Sequence, residues 1–276
     1  MEINEVRERG VLMKIHYMSD LHLEFGALNM PLPKGEVLIL AGDIISAIRL
    51  CPTRTDKFST VLRERFHLFF EEVLEKFDKC FYVTGNHEYY NSSFEEVDEI
   101  LDKYLPSYIT RLNDNLVEYK GFSFFGGTLW TGFPNYEGEY AASTGMNDFR
   151  FIDWEVKNKG MNIRFTTGAS RLLHTETVMA LKKACKGRDN VIIVTHHCPS
   201  FECINDKHVT SPLNDAYCTN LHGLIEAYKP IAWICGHTHN QKTIKVHDTE
   251  IRMNCRGYMG YESCADNFDP DTYFEV

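Results

Sequence analysis

The sequence predicts an α/β fold, and two observations support this prediction. Short apolar runs with the composition of buried strands, such as Val37 to Ala41, alternate along the chain with longer segments whose apolar residues recur at helical spacing. Polar residues follow directly where several of these runs end, and ligands of open α/β sheets bind at the carboxyl ends of strands. We therefore expect a sheet whose strand ends form one binding site.

In the first half of the chain, the apolar pattern predicts three strands and two helices. The strands are expected at Lys14 to Met18, Val37 to Ala41 and Cys80 to Thr84. A long amphipathic helix is expected over about residues 56–77. A second helix over residues 94–104 is predicted from Ser93, which stands three residues before Glu96, and it should stop before Pro106.

The second half continues this alternation around two irregular segments. Strands are expected at residues 116–119, 122–129, 191–194, 231–235, 242–246 and 250–254, and helices at about 168–186 and 221–228. Residues 131–163 lack periodicity and are interpreted as a long surface excursion. Residues 200–220 are interpreted as a polar loop.

The size and charge of the chain limit the classes of protein to consider. Its 276 residues can bury a sizeable core, and fractions of 43% hydrophobic and 25% charged residues are those of an ordinary globular protein. The net charge of -10 disfavours non-specific binding of duplex DNA, which needs a basic surface. The longest apolar runs have the length of strands, so no membrane-spanning segment is expected.

The first twelve residues are mostly charged and lack an apolar core, unlike a signal peptide. We expect residues 1–12 to form a flexible extension and residues 13–276 to form a single domain. Met13 immediately precedes the first predicted strand and is an alternative start.

The nine cysteines are an odd number and contain no CxxC pair, which favours reduced thiols and a cytoplasmic location. Cys198, Cys203 and Cys218 lie close together in the sequence and could hold an additional zinc ion. Because their spacing is not that of a regular zinc site, unmodified thiols are the favoured interpretation.

Five strand-like runs end in side chains that can bind a metal ion or transfer a proton. These side chains are Asp20 and His22, then Asp43, then Asn86 and His87, then His196, then His237 and His239. Any one has an ordinary explanation, since Asp commonly forms turns and a lone His is usually a satisfied surface or core residue. All five together at successive strand ends would be improbable by chance. Alternate spacing in DxH and HTH lets both side chains converge on one site from an extended segment.

The order DxH, GD, GNHE, H and GHTH over residues 20–239 resembles that of the calcineurin-like metallophosphoesterase superfamily. The resemblance implies a four-layer α/β/β/α sandwich of two mixed sheets around a two-metal site. It assigns Asp20, His22 and His239 to one metal, and Asn86, His196 and His237 to the other, with Asp43 bridging the metals and His87 as the catalytic histidine. Manganese is the first expectation for both metals, since imidazole, carboxylate and amide ligands suit Mn, Fe or Zn and exclude neither Mg nor Ni.

The resemblance also implies hydrolysis of a phosphate ester. Two cations about 3.5–4 Å apart can clamp a phosphate and activate a hydroxide, while His87 would protonate the leaving oxygen or stabilise the transition state. The GDxxDRG signature of protein Ser/Thr phosphatases is incomplete here: Ser46 replaces the aspartate that orients the catalytic histidine, and the following arginine is missing. We therefore expect a phosphodiester substrate, in a nucleotide, a nucleic acid or another small molecule. Which carboxylate orients His87 stays open.

Three other functions are open at this point. A phosphomonoesterase or protein phosphatase remains possible in spite of the incomplete signature. A non-catalytic scaffold, like the retromer subunit of the superfamily, is disfavoured because none of the expected ligands is missing. A nuclease subunit resembling the double-strand-break repair enzymes would need a partner chain to supply a surface for DNA.

Two further residues are candidates for substrate binding. His197 could contact the phosphate or orient a ligand, and a purely structural role is an equal alternative. Arg150, within the 131–163 excursion, is a candidate partner for phosphate charge.

Overall fold

The computed structural model describes residues 12–156 and 161–276. Residues 1–11 of the expected extension lie outside the described residues, and the single domain over 13–276 stays a prediction. The strands of the described residues are β1 Lys14–Met18, β2 Gly35–Ala41, β3 Phe77–Val83, β4 Ser92–Ser93, β5 Ile109–Arg111, β6 Asn115–Tyr119, β7 Phe122–Gly127, β8 Ile152–Val156, β9 Met161–Arg164, β10 Val191–Thr195, β11 Ala232–Ile234, β12 Gln241–Val246, β13 Thr249–Asn254 and β14 Tyr273–Glu275. The helices are α1 Lys57–Lys76, α2 Phe94–Tyr104, α3 Tyr136–Gly145, α4 Asp148–Phe151, α5 Thr167–Cys185 and α6 His222–Tyr228.

Two large mixed sheets organise the fold. In the first sheet the strand order is β14-β1-β2-β3-β5, and all neighbours are parallel except β14, which runs antiparallel to β1. In the second sheet the order is β12-β13-β11-β10-β7-β6, with parallel strands in the centre and antiparallel strands β12 and β6 at the edges. The carboxyl ends of the parallel strands therefore lie at one edge of each sheet.

The two sheets stack face to face, with helices on both outer faces. The core between the sheets includes residues of both, and the rings of Phe81 on β3 and Phe124 on β7 stack there with centroids 4.3 Å apart. The outer face of the first sheet packs on α1 and α2, through residues such as Leu62 and Val97. The outer face of the second sheet packs on α5 and α6, through Leu181 and Ile225 among others. The predicted four-layer α/β/β/α arrangement is confirmed.

The helix starts follow their sequence signals. Asp56 caps α1, and its carboxylate accepts a hydrogen bond from the amide of Ser59 at 2.9 Å. Ser93 caps α2 through the amide of Glu96 at 3.3 Å. Within the described part of the chain, no helix combines the length and the apolar character that crossing a membrane requires.

The interpretation of residues 131–163 as an irregular surface excursion is wrong. Its described part contains α3, α4, β8 and β9, and β8 pairs with both β4 and β9 in a small third sheet. The segment gave no periodic signal because α3 has the sequence YEGEYAASTG, which presents few large apolar residues. The other differences are smaller: β3 begins at Phe77 rather than Cys80, β7 ends at Gly127, and the short strands β4, β5 and β14 were not predicted.

Candidate metal centre

The structure brings together all seven residues that the sequence assigned to metal binding. Strands β1, β2 and β3 are neighbours in the first sheet, β10 and β11 are neighbours in the second, and the loops after these five strands meet at one edge of the sandwich. These loops carry Asp20, His22, Asp43, Asn86, His196, His237 and His239. Ligand-binding residues that follow parallel strands are expected to meet in this way.

One group of donor atoms surrounds Nε2 of His196. This nitrogen lies 3.0 Å from Oδ1 of Asn86, 3.2 Å from Nδ1 of His237 and 3.4 Å from Oδ2 of Asp43. We call Asn86, His196 and His237 the second half-site. All three members are buried.

The other group surrounds Nε2 of His239. This nitrogen lies 3.1 Å from Nε2 of His22 and 3.4 Å from Oδ1 of Asp20. We call Asp20, His22 and His239 the first half-site. Oδ2 of Asp43 lies 3.7 Å from Nε2 of His22, so the same oxygen that borders the second half-site also borders the first.

The charges of these groups fit cation binding. Burial raises the pKa of a carboxyl group, but the hydrogen bond and charge of His239 outweigh it and lower the pKa of Asp20 to about 2. Asp43 is likewise held well below its usual pKa in spite of burial, chiefly by the charge of His196. Burial lowers the pKa of His22 and His237 far enough to keep both imidazoles neutral, which is the form that binds metals. Each half-site therefore contains one neutral imidazole and borders ionised carboxylates, while those carboxylates raise the pKa of His196 to about 9 and that of His239 to about 10, so these two rings would release a proton when a cation binds.

The backbone of these loops adopts a conformation that L-residues rarely take. Positive φ angles of non-glycine residues are uncommon, cost free energy, and cluster at functional sites. Five of the seven candidate ligands have one: Asp20 (52°), His22 (42°), Asp43 (57°), His237 (65°) and His239 (48°). The surrounding fold must therefore hold these loops in place.

The motif glycines allow the loops to approach each other. A Cβ atom on Gly85 would lie 2.1 Å from Oδ1 of Asp43, and one on Gly42 would lie 2.5 Å from Nδ1 of His196. Gly42 also has a φ of 91°. Any larger residue at either position would displace a candidate ligand.

Asp148 supports the second half-site and was not found from the sequence. Its buried carboxylate accepts hydrogen bonds from Nδ2 of Asn86 at 2.7 Å and from the hydroxyl of Tyr90 at 2.8 Å. Since Nδ2 is held by Asp148, Oδ1 of Asn86 points to His196. Asp148 begins α4, inside the segment interpreted as irregular, and no pattern in the sequence marks it.

Glu262 supports the first half-site in a similar way. Its Oε2 lies 2.5 Å from Nδ1 of His239 and also accepts from the amide of Tyr258 at 2.9 Å. A carboxylate behind a metal-binding imidazole fixes the orientation of the ring and raises its basicity. The sequence predicted a strand at residues 250–254, and Tyr258 and Glu262 follow its carboxyl end, but the structure alone shows that this strand, β13, is parallel to β11 and next to it.

Glu88 holds the loop after β2. Its carboxylate accepts hydrogen bonds from the amides of Asp43 (3.0 Å), Ile44 (2.7 Å) and Gly85 (2.7 Å), and from the hydroxyl of Tyr82 (2.8 Å). Glu88 therefore ties the Asp43 loop to the Asn86 loop and does not orient His87.

His87 lies at the wall of a cleft, beside both half-sites. Its amide donates to Oδ1 of Asp43 at 2.8 Å, and its Nε2 lies 3.1 Å from the hydroxyl of Tyr258. Its ring stacks on Tyr90, with centroids 4.1 Å apart, and burial lowers its pKa. Among the described residues, no carboxylate hydrogen-bonds to this ring, and the hydroxyl of Ser46 instead donates to the carbonyl of Tyr90. The partner of His87 is thus a tyrosine that sequence reasoning missed.

The cleft over the half-sites has a volume of about 410 Å³. Asp43, Asn86, His237 and His239 lie at its floor, beside His87, and residues of the 200–220 loop, such as Asn205 and Tyr217, line one side. Within the described part of the chain, no lysine or arginine lines this cleft.

The structure places the two candidate substrate-binding residues away from the cleft lining. His197 is buried, its Nδ1 lies 3.1 Å from the carbonyl of Thr128, and burial lowers its pKa to about 3. Arg150 is exposed, and its guanidinium donates to the carbonyl of Thr144. These contacts correspond to the structural alternative for His197 and leave Arg150 outside the cleft.

Comparisons with known proteins agree with this geometry. The model of the calcineurin-like phosphoesterase family matches residues 13–241, and the chain belongs to this family. A protein of Acanthamoeba polyphaga mimivirus that is described as uncharacterised is 27% identical over 292 aligned residues, which cover 95% of this chain and 96% of the relative. The crystal structure of a phosphopantetheinyl hydrolase from Mycobacterium tuberculosis is similar over 97% of this chain and 96% of its own, with a TM-score of 0.64 and 15% identity. At that identity the likeness concerns the fold.

Proposed function

We propose that this protein is a metal-dependent phosphoesterase that hydrolyses a phosphodiester with two divalent cations, one in each half-site. The observation that carries this proposal is the position of Asp43, whose Oδ2 borders both half-sites at the floor of the cleft. A carboxylate between two cations lets them approach because its charge offsets their repulsion. Manganese is the first metal to test, followed by iron, zinc, nickel and magnesium.

The residues of the centre have distinct proposed roles in the reaction. Cations in the half-sites would supply the charge that activates water and neutralises the phosphate. Asp43 is held for bridging by the amide of His87, which occupies its other oxygen, Oδ1. Asn86 is turned toward His196 by Asp148, and His239 is turned by Glu262.

We propose that His87 takes part in proton transfer to the leaving oxygen. It belongs to the cleft wall, and its Nε2 faces the hydroxyl of Tyr258. Burial raises the pKa of Tyr258 further above its usual value, so the phenol stays protonated and remains a hydrogen-bond donor. His87 and Tyr258 together place two proton-bearing groups next to the candidate position of the phosphate.

The lining of the cleft favours a diester over a monoester. A phosphate monoester carries two negative charges, and proteins commonly bind such groups through arginine or lysine. The described residues that line the cleft include neither, while they include Glu262. A phosphodiester, with one negative charge, needs less positive charge from the protein. A phosphomonoesterase is the second candidate, since bound cations could supply the missing charge.

The test compares a chromogenic phosphodiester, bis(p-nitrophenyl) phosphate, with the matching monoester, p-nitrophenyl phosphate. Both are assayed with added Mn²⁺ and after treatment with a chelator. We expect metal-dependent cleavage with the higher kcat/KM on the diester. A higher kcat/KM on the monoester would replace the proposed substrate class. Bound metal without cleavage of either compound would favour a binding protein on this fold.

The location that we propose is the cytoplasm. All nine cysteines are free, which fits a reducing compartment. Fractionation of cells that express the tagged protein would test this location.

A further inference from the structure

Four cysteines between residues 198 and 235 converge behind the second half-site. The sulfurs of Cys198, Cys203 and Cys235 all lie within 4.8 Å of one another. The thiol of Cys218 neighbours that of Cys198, and the backbones of these two residues form an isolated β-bridge. All four residues have an exposure of 0%. We call these four residues the thiol cluster.

The spacing of these sulfurs suits a tetrahedral thiolate site. Zinc binds cysteine sulfur at about 2.3 Å, which places the sulfurs of a tetrahedral site about 3.8 Å apart. A small inward rotation would bring the sulfurs of Cys198, Cys203 and Cys235, which lie within 4.8 Å of one another, to that separation. The thiol of Cys218, which contacts that of Cys198, would supply the fourth sulfur. The ligand type also selects the metal, because soft thiolates favour zinc over the hard cations that carboxylates and amides prefer.

The surroundings of the thiol cluster supply compensating charge. Four thiolates and one Zn²⁺ carry a net charge of -2, which is costly to bury without partners. The ammonium of Lys242 donates to the carbonyl of Ile204, the residue after Cys203, at 3.0 Å, and its charge acts to lower the pKa of Cys203 and Cys218 against the effect of burial.

We propose that Cys198, Cys203, Cys218 and Cys235 bind one zinc ion at a structural site separate from the two half-sites. Binding exchanges the sulfur-bound protons for the cation, and the protons leave to solvent. One of these protons is the one that the Cys198 thiol donates to the carbonyl of Gly236 at 3.2 Å. The proposal replaces the sequence-based preference for unmodified thiols, which considered only three of the four residues.

A cation in the thiol cluster would fasten the elements that shape the active site. Cys198 stands two residues after His196, and Cys235 stands two residues before His237. Cys203 and Cys218 stand at the two ends of the segment that lines one side of the cleft. One ion would therefore tie two candidate ligand loops of the second half-site to the side of the cleft.

The test uses the full chain loaded with Co²⁺ in place of zinc. Thiolate bound to Co²⁺ gives an intense near-ultraviolet charge-transfer band, which carboxylate, amide and imidazole ligands do not give. We expect the wild-type protein to show this band with one equivalent of Co²⁺ and to lose it when Zn²⁺ is added. The two half-sites contain no cysteine, so cobalt bound there does not contribute to the band.

Cysteine variants identify which thiolates produce the charge-transfer band. Cys203→Ser and Cys235→Ser should each remove most of it, whereas the control variant Cys80→Ser should keep it, since Cys80 is equally buried but belongs to the core under α1. Asp43→Ala should also keep the band, which separates failure of this site from failure of the proposed phosphoesterase site.

The wild-type spectrum decides the proposal even if a variant does not fold. Absence of the charge-transfer band from cobalt-loaded, fully reduced wild-type protein would overturn the proposal. So would an intact mass showing that cluster cysteines are paired as disulfides, or a band that persists unchanged in both Cys203→Ser and Cys235→Ser.

Discussion

The two half-sites share Asp43 but differ in how they are supported. Behind the second half-site lies Asp148, which is 3% exposed and holds Asn86 and Tyr90 through one oxygen. Behind the first half-site lies Glu262, whose side chain is 35% exposed, and which holds His239, itself 15% exposed. The support of the second half-site is thus buried, whereas the support of the first half-site is partly exposed, and residues of both half-sites line the cleft.

This difference indicates which half of the centre is the more rigid. A polar contact in a low-dielectric interior is stronger, and its loss is more costly, than the same contact near water. We therefore expect the second half-site to hold its cation firmly and the first half-site to exchange its cation faster. The following variants test this comparison, in order of decreasing expected effect.

Asp43→Ala removes the residue common to both half-sites. We expect loss of phosphodiesterase activity and loss of both cations, because each half-site loses a charged ligand and the cations lose their bridge. Turnover and metal content per chain measure the effect. Asp153→Ala, which affects only an ion pair with Arg164, is the control and should match the wild type. Wild-type turnover in Asp43→Ala would contradict the assignment of the centre.

Asp148→Ala removes the support of the second half-site alone. Without the carboxylate, the amide of Asn86 loses its fixed orientation, and we expect metal affinity to fall about 10- to 100-fold in one of the two sites. Metal titration followed by calorimetry separates the two binding events. If both events keep wild-type affinity, Asp148 does not orient a ligand, and the contrast between the half-sites fails.

Glu262→Gln weakens the support of the first half-site. The amide oxygen can still accept from Nδ1 of His239, but the negative charge is lost, so we expect the smaller effect, about 10-fold, in the metal affinity of the other site. Asp266→Asn, an exposed acidic residue in the same segment, serves as the control. An effect larger than that of Asp148→Ala would reverse the proposed order of rigidity.

Tyr258→Phe leaves both half-sites intact and removes only the hydroxyl next to His87. A hydrogen bond of this kind contributes about 1 kcal/mol, so we expect kcat on the diester to fall about 2- to 10-fold while metal content stays unchanged. Tyr261→Phe, whose side chain is largely exposed, is the matched control. Equal kcat values for both variants would remove Tyr258 from the proposed proton-transfer pair.

The strand ends explain why much of the site could be predicted from the sequence. The first-sheet strands that precede Asp20, Asp43 and Asn86 end in buried apolar residues, so the polar residues just beyond each run marked their carboxyl ends. Parallel pairing then brings those ends to one edge, whichever order the strands take. The four-layer arrangement came from the resemblance to a known family and was confirmed.

The supporting residues could not be predicted because tertiary packing alone brings them to the site. Asp148 is 62 residues from Asn86, in a segment whose small polar helix gives no apolar period. Cys235 follows β11, whereas the other three cysteines of the thiol cluster follow β10, and it joins them only because β10 and β11 pair. Glu262 and Tyr258 follow β13, whose place beside β11 was not predicted.

The central claim is that two cations share Asp43, and electron paramagnetic resonance of the Mn²⁺-loaded protein tests it most directly. At two equivalents of bound Mn²⁺, the account predicts the spectrum of a magnetically coupled pair, which Asp43→Ala should abolish. A spectrum of isolated Mn²⁺ ions at full loading, or saturation at one equivalent, would contradict the account.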